Sequence, residues 1–158
     1  MTTLSSAAQD GKAQTTKKTF SRETTVSIVI EADAAFIWTL LIHGSDYPRW
    51  NSTVTSFKGE ITEGGKIELM TILDAKRSFK LKVQDVQPEK RMVWKGGMGA
   101  RTYTLTPAGE GKVAFTMTEK IGGFMFPLLA GMIPPFDEVF EKFAGDLKKE
   151  AEAIQATP

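Results

Sequence analysis

Residues 134–155 read PPFDEVFEKFAGDLKKEAEAIQ, and this stretch decides the fold. Phe136, Val139, Phe140, Phe143, Leu147, Ala151 and Ile154 recur at spacings of three and four. At about 100° per residue they lie on one stripe of a helix, with Ala144 at its edge. Glu138, Glu141, Lys142, Lys148, Lys149 and Glu152 fall largely outside the stripe. Pro134 and Pro135 suit a helix start, where a missing N–H is tolerated. Asp137 and Glu138 at one end and Lys148 and Lys149 towards the other suit the helix dipole. At about 1.5 Å per residue the helix reaches about 30 Å, so its three phenylalanines need a broad apolar partner.

The preceding chain supplies that partner as strands. Val26, Ile28 and Ile30 alternate with Ser27, Val29 and Glu31, which predicts a half-buried strand over 21–32. Asp33 then leads into a short helix, AAFIWTLLIH, which Gly44 can end, and SDYPRW makes a second short turn. From there the chain reads as a meander. Strands are expected at 54–60, 66–73, 78–87, 91–95, 101–106 and 112–121, separated by TEGG, DAKR, PEK, the Gly96–Gly99 turn and PAGEG. The expectation is an α+β fold in β-αα-β6-α order. Its seven-stranded curved antiparallel sheet carries the long C-terminal helix across one face.

With 41% hydrophobic and 25% charged residues in a chain of 158, one globular domain over 21–155 with a real core is expected. Residues 1–20 lack an apolar period and read as a flexible tail. Twenty basic and nineteen acidic residues give a net charge of +1, which offers no support for nucleic-acid binding. The absence of cysteine excludes thiolate metal sites, and a single histidine, His43, excludes a multi-histidine one. No signal-peptide run is evident, and the most apolar segment, 121–136, is broken by Gly and Pro, so a cytoplasmic protein is expected. The glycines of GGKIE and KGGMGA do not form a phosphate loop. No catalytic residue, metal or cofactor is assigned.

Strand alternation puts Val113, Phe115, Met117, Glu119 and Ile121 on one face, and Arg101, Tyr103 and Leu105 on a matching one. A hairpin turning around Gly109 sets Met117 opposite Arg101, with Glu119 on the diagonal. Arg101, Tyr103 and Glu119 then form either a polar patch that orients a ligand, or a structural ion pair at the rim. Asp85 is a second acid in inward phase, beside the Pro88 turn, where a strand end reaching solvent explains it. His43 suits a helix C-terminus and needs no further role. Trp38, Trp50 and Trp94 read first as core. The segment 122–132, GGFMFPLLAGM, is either a gate, a patch touching a membrane or partner, or a buried plug.

Four stretches carry a family resemblance: IEADAAFIWTLL at 30–41, DYPRWNSTV at 46–54, VQDVQPEKRMVWKGG at 83–97 and FDEVFEKFAGDLKKEAE at 136–152. Together they span about 21–155 and resemble the START-like superfamily (SRPBCC), also called the polyketide cyclase/dehydrase and lipid-transport superfamily, with its helix-grip fold. Where many members have Asn-Pro after the tryptophan, this chain has Asn51-Ser52. The resemblance implies a cavity between sheet and helix for a small hydrophobic molecule such as a lipid, isoprenoid or polyketide-like ring. The expected lining is Arg101, Tyr103, Phe115, Met117, Glu119, Phe136, Phe140 and Phe143. Binding or carriage is the leading expectation. A cyclase/dehydratase using the Arg/Tyr/Glu patch and a chaperone-activator-like interaction module are the alternatives.

Overall fold

A computed structural model describes residues 10–156. In chain order it holds strands β1 (Gln14–Lys17) and β2 (Ser21–Ile30), helix α1 (Ala34–Ile42), and the short helix α2 (Tyr47–Trp50). Strands β3 (Val54–Gly59), β4 (Lys66–Thr71), β5 (Asp74–Gln87), β6 (Arg91–Gly96), β7 (Gly99–Gly109) and β8 (Lys112–Gly122) follow. The short helix α3 (Phe126–Leu129) and the long α4 (Asp137–Ala156) complete it. The fold is the expected α+β helix-grip. Among the described residues the sheet has eight strands rather than seven, in the order β1-β2-β8-β7-β6-β5-β4-β3, with every pairing antiparallel.

The added strand lies within the stretch read as a tail. Gln14–Lys17 pairs with Arg22–Thr25, and Thr15 Oγ1 donates to Asp137 Oδ1 at 2.6 Å. Polar throughout, QTTK carries no apolar alternation, so only its partner strand reveals it. Asp10 also bridges to Ile28, and residues 1–9 of the expected tail lie outside the described residues. The first strand of the predicted domain, β2, crosses the corner helices to pair with the last, β8, over ten residues. The meander therefore begins at β3, the far edge of the sheet, and ends at β8 beside β2.

Helix α4 starts at Asp137 rather than at Pro134. Phe136 is its flanking residue, with its carbonyl accepting from the Phe140 N–H at 2.9 Å. Arg22 fixes the approach. Its guanidinium donates to Ile133 O (3.2 Å) and Pro134 O (2.8 Å) and lies 4.7 Å over the Phe136 ring. Those carbonyls precede the helix and cannot enter its ladder, so a buried cation satisfies them. The predicted stripe is the buried face: Phe136, Val139, Phe140, Phe143, Ala144, Leu147 and Ala151 are all buried, and Ile154 is partly so. Polar ties hold the far side. The Ser52 N–H and Oγ both donate to Asp146 Oδ2 (2.8 and 2.7 Å), and Lys148 donates to Val29 O at 2.9 Å. Proline at position 52 would lack that N–H, so the Asn51-Ser52 sequence gives the corner a grip on α4 that Asn-Pro cannot supply.

Among the described residues no helix is long and apolar enough to cross a membrane. Two stability changes follow from the stripe. Phe143→Ala removes a fully buried ring and should cost roughly 3–5 kcal/mol in chemical denaturation. Gly145 is exposed, and a Cβ there meets nothing within 4 Å. Gly145→Ala should therefore stabilise by about 1 kcal/mol, and a loss instead would contradict the solvent-facing orientation.

Candidate functional site

The β7–β8 hairpin builds the polar part of the interior. Its register differs from the expected one: Arg101 pairs with Glu119 and Tyr103 with Met117. A bulge between Pro107 and Gly109 adds a residue before the turn. Gly109 (φ +134°) and Gly111 (φ +69°) take left-handed backbone, moving the reversal beyond Gly109. Glu119 is therefore directly opposite Arg101 instead of diagonal to it. Arg101 Nε donates to Glu119 Oε1 at 2.8 Å, both side chains are about 15% exposed, and the guanidinium stacks 4.9 Å over the Phe140 ring of α4. Burial works against the Arg101 charge, yet Glu119 beside it holds its pKa above the ordinary arginine value.

Around this pair the interior is aromatic. Phe143 occupies its centre, with ring centroids 5.9–6.1 Å from Tyr47, Trp50, Tyr103 and Phe115. Trp94 joins from β6, 4.7 Å from Tyr103 and 6.0 Å from Tyr47. Phe136 stacks on Phe140 at 5.9 Å, towards Arg22. All eight residues expected to line a cavity thus lie between sheet and α4, and Phe115, Met117, Phe140, Phe143 and Tyr103 are almost fully buried. They touch one another there. The clefts of about 410 and 480 Å³ that open on the surface are lined by other residues.

Three buried polar atoms within this aromatic set make no hydrogen bond to the protein: Trp50 Nε1, Trp94 Nε1 and Tyr103 Oη. Tyr47, by contrast, donates to Leu41 O at 2.6 Å. The Tyr103 hydroxyl is close enough to Arg101 to feel its charge, but the two complete no hydrogen bond of good geometry. Burial pushes the Tyr103 pKa up to about 12 although Arg101 pulls it down, and burial raises Tyr47 well above 10. Tyr103 is therefore a standing hydrogen-bond donor at neutral pH.

Asp85 and His43 fall outside this interior. Asp85 is exposed, with φ +53° at a bulge and an ion pair to Arg91 at 2.6 Å, which holds its carboxyl below the usual range. His43 is exposed, with Nδ1 2.7 Å from Thr39 O. Trp38, Trp50 and Trp94 are all core. Sequence reasoning passed over Tyr47, whose corner gives no periodic signal, and Arg22, whose strand phase with Val26 was a usable one.

Because Arg101 and Glu119 are largely, though not wholly, withdrawn from water and bonded to each other, Arg101→Met should destabilise by roughly 3 kcal/mol. Pairing it with Glu119→Leu should recover much of that loss in a double-mutant cycle. Additive effects would mean that the side chains do not interact. The two tyrosines are the only ones in the chain. Absorbance titration of the folded protein should show no tyrosinate near pH 10. Both tyrosines ionise more readily once unfolded, so the unfolded state holds fewer protons there and stability should fall as pH rises above about 10. Tyr103→Phe should reduce that slope.

No curated protein sequence matches the chain. Solved structures do. A Rhodobacter sphaeroides protein is 17% identical, covers 90% of this chain and 99% of its own, and superposes with a TM-score of 0.68. A START superfamily protein from Mycobacterium smegmatis is 16% identical (84% and 98% covered, TM-score 0.62). A point mutant of norcoclaurine synthase from Thalictrum flavum, solved with a transition-state analogue, is 12% identical (89% and 100% covered, TM-score 0.66). At these identities the likeness is one of fold. The sequence pattern of the family described as polyketide cyclase/dehydrase and lipid transport matches residues 21–155, from β2 to the last turns of α4. The chain belongs to that family.

Proposed function

We propose that the protein binds or carries a small, mostly apolar molecule bearing an oxygen acceptor, between the sheet and α4. The family's description supports a role with hydrophobic or polyketide-like ligands. The observation that carries the finer reading is the set of three unpartnered donors, Trp50 Nε1, Trp94 Nε1 and Tyr103 Oη, inside an aromatic interior. A buried donor left unpaired costs about 1–3 kcal/mol, and a ligand carbonyl or hydroxyl oxygen would recover that cost. Arg101 and Glu119 set the field at one side of the interior and already satisfy each other. They orient, while Tyr103 donates. Rings and aliphatic chain surrounding that oxygen would meet Phe115, Met117, Phe136, Phe140 and Phe143.

The touching rings around Phe143 must part to admit such a molecule. Movement has most room at 122–132. Phe126 anchors that segment in the core, while Gly123 (φ +145°) and Gly131 have open space around them. A second reading, an enzyme of the cyclase or dehydratase kind, draws support from Tyr103 alone, since a hydroxyl protonated to about pH 12 can polarise a carbonyl.

Native mass spectrometry of freshly purified protein should reveal a co-purified small molecule, and an apolar fluorescent dye should bind and be displaced by a cell lipid extract. Tyr103→Phe should weaken binding of an oxygen-bearing ligand by about 5- to 15-fold while leaving a pure hydrocarbon probe unaffected. Amides of 122–132 should exchange faster than those of β8 and α4 and slow when ligand binds. Absence of any bound molecule together with failure of every apolar probe would refute the reading.

A further inference from the structure

The outer face of the sheet, away from α4, carries a charge arrangement that the interior site does not use. The strand registers align Lys66 (β4) with Lys82 (β5), Lys82 with Lys95 (β6), Lys95 with Ala100 (β7), and Ala100 with Lys120 (β8). Four lysines thus occupy one ladder row, spanning about 19 Å at about 4.8 Å per strand. A second row places Lys58 and Lys80 on either side of Glu68. All six lysines are exposed, and among the described residues none forms an ion pair with a carboxylate. Two acids are direct register partners of these lysines. Glu68 accepts from Ser78 Oγ at 2.7 Å, and Glu23 lies opposite Lys120. Like charges directly opposite each other in a ladder are destabilising, so the row opposes folding. In a chain of net charge +1 it is a local concentration, not a reflection of composition.

The row leads to exposed apolar side chains. Five of the lysines line the 410 Å³ cleft, and Lys95 continues into the 480 Å³ cleft with Lys120, Phe20, Met98 and Gly123. Immediately after Gly123 come Phe124 (84% exposed), Leu128 (74%) and Met132 (78%). Met125 and Phe20 are exposed beside them, and residues 121–136 contain no acid. In the short helix α3 Phe126 is buried while Leu128 stands out to solvent, as Phe124 and Met132 do on either side.

We infer that the Lys66–Lys82–Lys95–Lys120 row and the Phe124–Leu128–Met132 tip form one docking surface for a membrane containing anionic lipid. A bilayer interface meets both demands at once. Its phosphate and carboxylate headgroups neutralise the unpaired lysines, and the acyl boundary beneath them takes up the apolar tip. An acidic protein would satisfy the lysines but gives no reason for three large apolar side chains in water beside them. The lysine row lies on the opposite face of the sheet from the interior ligand site, so loss of vesicle binding in the lysine variants tests this surface and not that site.

The full chain should sediment with vesicles in which phosphatidylserine replaces part of the phosphatidylcholine. Binding should weaken as salt rises and be far weaker to phosphatidylcholine alone. Lys82→Gln and Lys95→Gln should each weaken it by about five-fold, while thermal stability holds or rises because ladder repulsion is relieved. Phe124→Ser with Leu128→Ser should weaken it by at least about ten-fold while thermal stability holds, since both side chains are exposed. Failure to bind anionic vesicles, equal binding to both vesicle types, or unchanged binding by the lysine variants would overturn the inference. So would salt-sensitive capture by polyglutamate with no vesicle binding, which would assign the surface to acidic proteins.

Discussion

Burial of one helical stripe against one face of a twisted sheet is the interaction on which the other features depend. Phe140, Phe143, Leu147 and Ala151 are almost wholly removed from water, and each removed apolar surface contributes about 25 cal/mol per Å². Phe143 matters most, because its ring meets side chains from the corner (Tyr47, Trp50) and from two strands (Tyr103, Phe115). Take that ring away and the corner loses its contact with the sheet as well as with the helix. The polar links, Ser52 to Asp146, Lys148 to Val29 and Arg22 to the 133–134 carbonyls, fix where the helix lies once the stripe has been buried. They supply register; the apolar stripe supplies most of the driving force.

The interior differs from an ordinary core in its polar content. An Arg–Glu pair and three unpartnered donors sit among aromatic rings. A core selected for stability alone would replace such groups by apolar ones of similar volume, since a buried ion pair seldom gains on its hydrophobic equivalent. Their presence in the same layer is what gives the ligand-binding reading its chemical content: an apolar body held by rings and one oxygen held by donors. Tyr103 links the two, with one edge against Trp94 and Phe143 and its hydroxyl in the field of Arg101.

Opposite faces of the same sheet carry opposite properties. The inward face is aromatic and nearly closed to water, while the outward face between β3 and β8 concentrates lysine. Because a strand alternates sides with every residue, Trp94 and Lys95 serve the two faces from adjacent positions. The proposed ligand site and the inferred membrane surface therefore draw on different residues of one sheet. They meet only near the 122–132 segment, where apolar side chains reach solvent at the head of α4.

The long-helix stripe, the six-strand meander and the inward phase of Arg101, Tyr103 and Glu119 were legible in the sequence, because helical and strand periods of about 3.6 and 2 are local properties. The solvent-facing Gly145 was legible for the same reason. What depends on distant partners was not. QTTK has no apolar alternation, and becomes a strand only because β2 offers it an edge. The direct Arg101–Glu119 facing was decided by a bulge near Pro107, one residue that shifts every cross-strand partner beyond it. Arg22's hold on the carbonyls before α4 joins residues more than a hundred apart. The lysine row is the clearest case. Lys66, Lys82, Lys95 and Lys120 are scattered along the chain, and only the registers of five strands bring them into line. Sequence period fixes which way a side chain points, whereas hydrogen-bonded pairing between strands fixes whom it meets.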